Sequence, residues 1–272
     1  MKPASFDYIR AADAAEAVAL LGEYGEDARI LAGGQSLVAM MNMRLTQPRV
    51  LIDISQAASL DTIQADASGV RIGAAFRQAA LGAWPAFDDT LPLAAAALPH
   101  IGHVQTRNRA TVCGSIAHAD PGAELPLVLA TLEGTVHLRG PRRRRAVAAR
   151  DFFTGMLTPA RQPDELIEAV TYPAAQPNTG YAFDEIAPRH GDFAIVSVAA
   201  AVGPAGITVG IGGVADRPEI RAWPILDGSA LDDALNDFAW ALEATSDHHA
   251  SAAYRRNLVR KVGRRVIEAA RP

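Results

Sequence analysis

Two short stretches concentrate the residue types that could do chemistry. The first is Ala32-Gly33-Gly34-Gln35-Ser36-Leu37, between Arg29–Ala32, which reads as a strand, and 37–45, which reads as a helix. Adjacent glycines let backbone N–H groups converge on one point, because no Cβ blocks unusual φ/ψ or close approach. With a helix start behind them, such donors suit an anion, phosphate above all. The stretch lacks the GxGxxG fingerprint and the Lys-Ser/Thr of a P-loop, so on its own it also reads as an ordinary strand-to-helix turn. The second stretch runs from Thr111 to Glu124, TVCGSIAHADPGAE. Hydroxyls (Thr111, Ser115) flank a glycine turn at Gly114, with Cys113 beside it, and Asp120 and Glu124 could accept hydrogen bonds from sugar or ribityl hydroxyls. Asp120, Pro121 and Glu124 read equally well as a helix start.

Two glycine-hydroxyl loops in one domain would grip a diphosphate from two sides, as a dinucleotide such as FAD requires. Other chemistries find less support. The seven histidines are scattered, and His100 and His103 bring no carboxylate or thiolate at a metal spacing. His118 could touch a ligand or serve as a structural hydrogen-bonding group. No base is assignable to Ser36 or Ser115, so neither reads as a nucleophile, and no catalytic side chain is assigned. The single cysteine, Cys113, excludes an internal disulfide and an iron–sulfur cluster held by this chain alone. A net charge of −4 argues against general nucleic-acid binding. No apolar run approaches the roughly 20 residues of a membrane span, and the first residues have no signal-type apolar core, so a cytoplasmic protein is expected. The arginine run Arg142–Arg145 reads as a hairpin tip, or as a surface for an acidic partner.

The elements around these loops predict an α+β chain. At about 150 residues per domain, 272 residues suggest two domains. Asp13 and Glu16 open a helix through Tyr24. Val50–Ile54 is a buried-type strand. Val70–Gly73 reads as a strand, 76–84 and 91–101 as helices, and 110–116 as a strand running into the Gly114 turn. Leu125–Leu132 reads as a short helix, and Thr135–Arg139 and Leu166–Tyr172 as strands. The segment 173–180 is dense in turn residues and reads as a linker. Beyond it, 193–202 and 207–214 form a hairpin across Gly203–Gly206, and helices over 231–244 and 252–270 follow. The expected division is a first domain over 1–173, with lobes of about 1–55 and 56–173, and a second over 174–272.

Taken together, four segments carry a resemblance: AGGQSLVAMMNMRL (32–45), IGHVQTRNRATVCGSIAHADPGAELP (101–126), RHGDFAIVSVAAAV (189–202) and YRRNLVRKVGRRVIEAA (254–270). In this order and spacing the chain resembles the FAD-binding medium subunit of the molybdenum hydroxylases. That family includes carbon monoxide dehydrogenase medium subunits and the flavin domain of xanthine dehydrogenase. The resemblance implies a two-lobed FAD-binding domain of the vanillyl-alcohol-oxidase type, then a small antiparallel sheet with helices. It implies that Ala32, Gly33, Gly34, Gln35, Ser36 and Leu37, with Thr111, Cys113, Gly114 and Ser115, hold the diphosphate. Glu124 and Asp120 would meet ribityl or ribose hydroxyls, and Ile101 and Phe193 would lie by the isoalloxazine ring.

The resemblance also implies an electron-transfer role in a heterotrimer with divided labour: [2Fe–2S] clusters on a small partner subunit, molybdenum cofactor on a large one, and an external acceptor, in a dimer of three-chain units. Three positions depart from the family's pattern. Cys113 stands where TIGGS has its second glycine, Phe193 where many members have Tyr, and Asp184, Glu185 and Pro188 in a segment that is often basic. Two other readings stay open: a self-sufficient flavin oxidase or reductase of the same fold, and a non-catalytic module that has lost FAD.

Overall fold

The computed structural model describes residues 2–272. β1 (Asp7–Arg10), β2 (Ala28–Leu31) and β3 (Val50–Asp53) form a parallel sheet in the order β1-β3-β2. All four residues of β3 are buried, and a parallel strand covered on both faces must be apolar, as Val50-Leu51-Ile52 is. The helix Ala14–Tyr24 joins β1 to β2. Asp13 Oδ1 accepts from the N–H groups of Ala15 (2.7 Å) and Glu16 (2.9 Å), donors that a first helical turn leaves open. Ala14, Ala17, Val18 and Leu21 go inward.

β4 (Ile63–Asp66), β5 (Gly69–Gly73), β6 (Thr135–Arg139) and β7 (Arg144–Ala148) join β10 (Leu166–Tyr172) in an antiparallel sheet ordered β4-β5-β10-β6-β7. A two-stranded ribbon, β8 (Phe153–Gly155) and β9 (Thr158–Pro159), lies outside it. The third sheet is antiparallel: β11 (Gly180–Ile186), β12 (Val196–Gly203), β13 (Gly206–Gly212) and β14 (Glu219–Trp223), in chain order.

Two apolar cores result. The larger spans both earlier sheets, and the smaller joins the third sheet to the helices Gly228–Ala241 and Ala252–Ala269. Strand periodicity divides them: Val196, Val198, Ala200 and Val202 face the helices, while Ala199 joins the larger core. The helix Glu124–Thr131 packs on β12 and β13 and is buried at every residue. Its polar Thr131 is satisfied by donating to the Leu127 carbonyl at 2.8 Å. Burying all eight residues fixes the position of Glu124, at the helix start.

Several expectations need correction. Residues 110–116 are not a strand: Val112–His118 is a helix, and only an isolated Arg77–Thr111 bridge remains. Thr111 Oγ1 accepts from the Gly114 N–H at 3.0 Å and caps the turn, and Val112 and Ile116, four apart, share one buried face. The helix expected over 37–45 stops at Asn42, with Arg44 at φ 58°. The one over 76–84 shortens to Gln78–Gly82, and the one over 91–101 gives way after Ala97 to a 3-10 turn, Leu98–His100, holding Pro99. The strand expected from Phe193 begins at Val196. Asp120 does not cap the following helix, whose N-cap is Ala123; its Oδ1 accepts from the Gly122 N–H at 2.8 Å. The run Arg142–Arg145 does turn between β6 and β7, but Arg144 and Arg145 are ion-paired, to Glu168 and Glu165.

Candidate functional site

A cleft of about 720 Å³ runs from the parallel sheet to the edge of the third sheet. Its middle is the loop after β2. Among the described residues, the backbone N–H groups of Gly33, Gly34, Gln35, Ser36 and Leu37 are paired with no protein acceptor. Backbone donors are normally satisfied, so five consecutive free ones mark a place where an outside acceptor belongs. Two glycines make the loop possible. Gly34 has φ 74°, a region that non-glycine residues seldom adopt. A Cβ on Gly33 would lie 2.7 Å from Ala110 Cα and closer still to the Arg109 carbonyl oxygen. This glycine therefore lets the first loop rest on the backbone leading into the second. Thr111, Gly114 and Ser115 line the same cleft.

One end of the cleft is acidic. Glu124 is 4% exposed, and burial, with Asp120 adding repulsion, raises its carboxyl to about 7. Near it, burial raises the Glu185 carboxyl to about 8, with repulsion from Glu124 and Asp184 adding to the shift. Glu185 Oε1 stands 3.5 Å from His100 Nδ1, and Oε2 is buried without a partner. Burial also lowers the pKa of His100, so burial disfavours the charged form of both partners in this contact. Asp184, by contrast, is ion-paired to Arg265. Arg29 and Arg161 also line the cleft.

Every predicted site residue except Asp120 lines the cleft: Ala32 to Leu37, Ile101, Thr111, Cys113, Gly114, Ser115, Glu124 and Phe193. Asp120 stays outside because its carboxylate closes the turn onto Gly122. Cys113 reaches the cleft wall at a helical position, but its thiol points to the Ile72 carbonyl, 3.5 Å away, and burial pushes it up to about 12. No positive φ is imposed there, so a side chain in place of glycine is accommodated. Phe193 is 53% exposed and Ile101 8%. His118 lines the cleft as well, its pKa lowered by burial. Sequence reasoning missed Arg29 and Arg161, whose only signal is a charge beside a strand or a turn.

The donor set fits an extended dinucleotide: free N–H groups for a diphosphate, hydroxyls of Ser36 and Ser115 beside them, a carboxyl for sugar hydroxyls, and apolar surface for a ring. A two-lobed domain of parallel and antiparallel sheets with such a cleft is the architecture of an FAD-binding domain. Comparison with known proteins agrees. Residues 4–175 match the family described as FAD binding domain in molybdopterin dehydrogenase. The chain is 37% identical to the nicotine 6-hydroxylase medium subunit of Paenarthrobacter nicotinovorans, over 98% of each chain. It is 35% identical to the carbon monoxide dehydrogenase medium chain of Afipia carboxidovorans, covering all of this chain and 98% of that one. A structure of carbon monoxide dehydrogenase from Hydrogenophaga pseudoflava superposes with a TM-score of 0.94 at 32% identity, covering 99% of this chain and 98% of that one. The chain belongs to the FAD-binding medium subunits of the molybdenum hydroxylases: it is an oxidoreductase component, and its cofactor is FAD.

Proposed function

We propose that the chain is the electron-transfer subunit of a three-chain complex, working between [2Fe–2S] clusters on a small subunit and an external acceptor. A large subunit would carry the molybdenum cofactor, and two such units would pair. The observation that supports this best is the row of free N–H groups from Gly33 to Leu37. The single cysteine supports placing the clusters on another chain, and no three His, Cys, Asp or Glu among the described residues are grouped to hold a metal ion. Names of relatives as medium chains or subunits are in keeping with partners.

FAD, when bound, supplies the electron-accepting and electron-donating chemistry. The chain's own residues bind, orient and shield. The loop 33–37 would hold the diphosphate from one side, and Thr111 to Ser115 from the other, with the Cys113 thiol turned to the core. Glu124 would accept from a ribityl or ribose hydroxyl, and Ile101 and Phe193 would flank the ring. The flavin-binding part would be residues 1–173, with 174–272 as a second domain. No helix among the described residues is long and apolar enough to cross a membrane; cytoplasmic location remains our proposal.

The test is an absorbance spectrum of the natively purified chain, with the released cofactor identified, followed by a search for co-purifying large and small subunits. Bound FAD with both partners is expected. A chain that takes up no FAD even in excess would overturn the binding site. A flavin-loaded chain that turns over a substrate without partners would overturn the subunit role.

A further inference from the structure

Arg161 lines the cleft from the segment between β9 and β10. Its Nη1 donates to three backbone carbonyls, of Gln162 (2.9 Å), Pro163 (3.3 Å) and Glu165 (2.8 Å). One edge of the guanidinium is thereby fixed. All three bonds come from Nη1; among the described residues Nε and Nη2 make no hydrogen bond to the protein and Arg161 makes no ion pair. The neighbouring charges do not supply a counter-ion. Arg29 repels it, and Glu165 and Asp164 attract it without forming an ion pair. Glu165 is instead committed to Arg145, by bonds of 2.8 and 2.7 Å. Arg29 also spends its donors on carbonyls, of Glu26 and Ala28, and has no carboxylate partner among the described residues.

Two guanidiniums that line one cleft without a carboxylate ion pair leave a local excess of positive charge that an anionic ligand would offset. Burial and Arg29 accordingly press the Arg161 pKa down, and an ordinary surface arginine would carry neither pressure. A planar, fixed guanidinium with a free edge suits a phosphate oxygen or a purine, and its face suits stacking. The cleft wall supplies apolar surface from Leu21 and Pro163.

We propose that Arg161, with Arg29 beside it, recognises the adenylate half of the dinucleotide and so makes the cleft select FAD over FMN. The proposal rests on the reading of the cleft as the FAD site, and deepens it by naming what sets cofactor choice. Arg161 acts as a binding and specificity-determining residue; it takes no part in electron transfer.

The test uses the full chain freed of flavin, with FAD, ADP and FMN as separate probes of binding. Arg161→Met keeps most of the apolar stem and removes the charge and the donors. In this variant, affinity for ADP and FAD is expected to fall on the order of ten- to a hundredfold, the usual worth of a hydrogen bond to a charged group. FMN affinity is expected to stay within about twofold, since FMN lacks the adenylate half. Arg161→Lys, which keeps the charge without the planar fork, should recover part of the ADP affinity. If ADP binding is unchanged in a folded Arg161→Met chain, the proposal fails. It fails too if ADP and FMN affinities fall together with thermal stability, because Arg161 would then only staple the turn 162–165. If the unaltered chain binds none of the three probes, the cleft itself has been misread; a failure at Arg161 alone leaves that reading standing.

Discussion

Gly33→Ala puts a single methyl group where the two loops meet. Its Cβ would stand 2.7 Å from Ala110 Cα, against 3.4–4 Å for ordinary contact, so the backbones must part by about 0.7–1.3 Å. Both sides are main chain, and neither can turn aside like a flexible side chain. Overpacking of this kind costs about 1–3 kcal/mol, and two rigid walls put it near the upper end. At about 2–4 °C per kcal/mol, the melting temperature should drop by roughly 4–12 °C. The effect on FAD should be larger than on the fold. The five free N–H groups start at Gly33, so a shift of about an ångström misaims the first two of them. Each charge-assisted bond is worth about 1.5–3 kcal/mol, and losing two would weaken FAD binding by roughly two to four orders of magnitude. Thermal melts and flavin fluorescence titrations on the same preparations measure both. Gly25→Ala provides the contrast: φ is 54° there, but a Cβ meets nothing within 4 Å and the residue lies outside the cleft wall. It should lose about 1–2 kcal/mol of stability and bind FAD as before. Gly33→Ala with full flavin occupancy and an unshifted melt would refute the reasoning.

Four further outcomes are expected. Gly34→Ala should cost about 1–2 kcal/mol for its φ of 74° and weaken FAD less than Gly33→Ala, because the side chains it meets, Leu31 and Val38, can yield; the same titration ranks the two. Cys113→Gly should keep FAD and lose about 1–3 kcal/mol, from a lost core thiol and a helical glycine, while the native thiol should resist maleimide until the chain is unfolded. Glu124 and Glu185 hold protons more tightly folded than unfolded, so the stability this gives is full below about pH 4.5 and is lost as pH rises towards 7 and 8; Glu185→Gln should flatten the melting profile between pH 5 and 8 and raise stability at pH 8. Glu165 has the opposite sign: Arg145 holds it below the usual carboxylate range, so its contribution is present above about pH 4.5 and is lost as pH falls, and Arg145→Met should cost about 2 kcal/mol by denaturant melt at pH 7.

What the sequence made legible were features whose cause is local. The Asp13 cap, the buried strand β3, the hairpin closing at Gly203 and Gly206, and the paired glycines each depend on residues within a few positions. The misreading of 110–116 shows the limit. Thr111, Val112 and Ile116 have β-branched side chains, and their strand propensity is overruled by a cap and by burial of one helical face against β5 and β10. β1 and β11 escaped because their residues are partly exposed or mixed in polarity; pairing with β3 and β12 makes them strands, and no local pattern contains that partner.

The site divides along the same line. The backbone donors could be located from glycine spacing, since glycine is what such a loop requires. The charges lining the cleft could not, because a carboxyl becomes a proton holder, or a guanidinium a free cation, only through what surrounds it. Glu185 reads in the sequence as one more acidic residue beside Asp184. In the fold burial, with repulsion from Glu124 and Asp184, raises its carboxyl to about 8, so it takes up negative charge less readily than an exposed glutamate would.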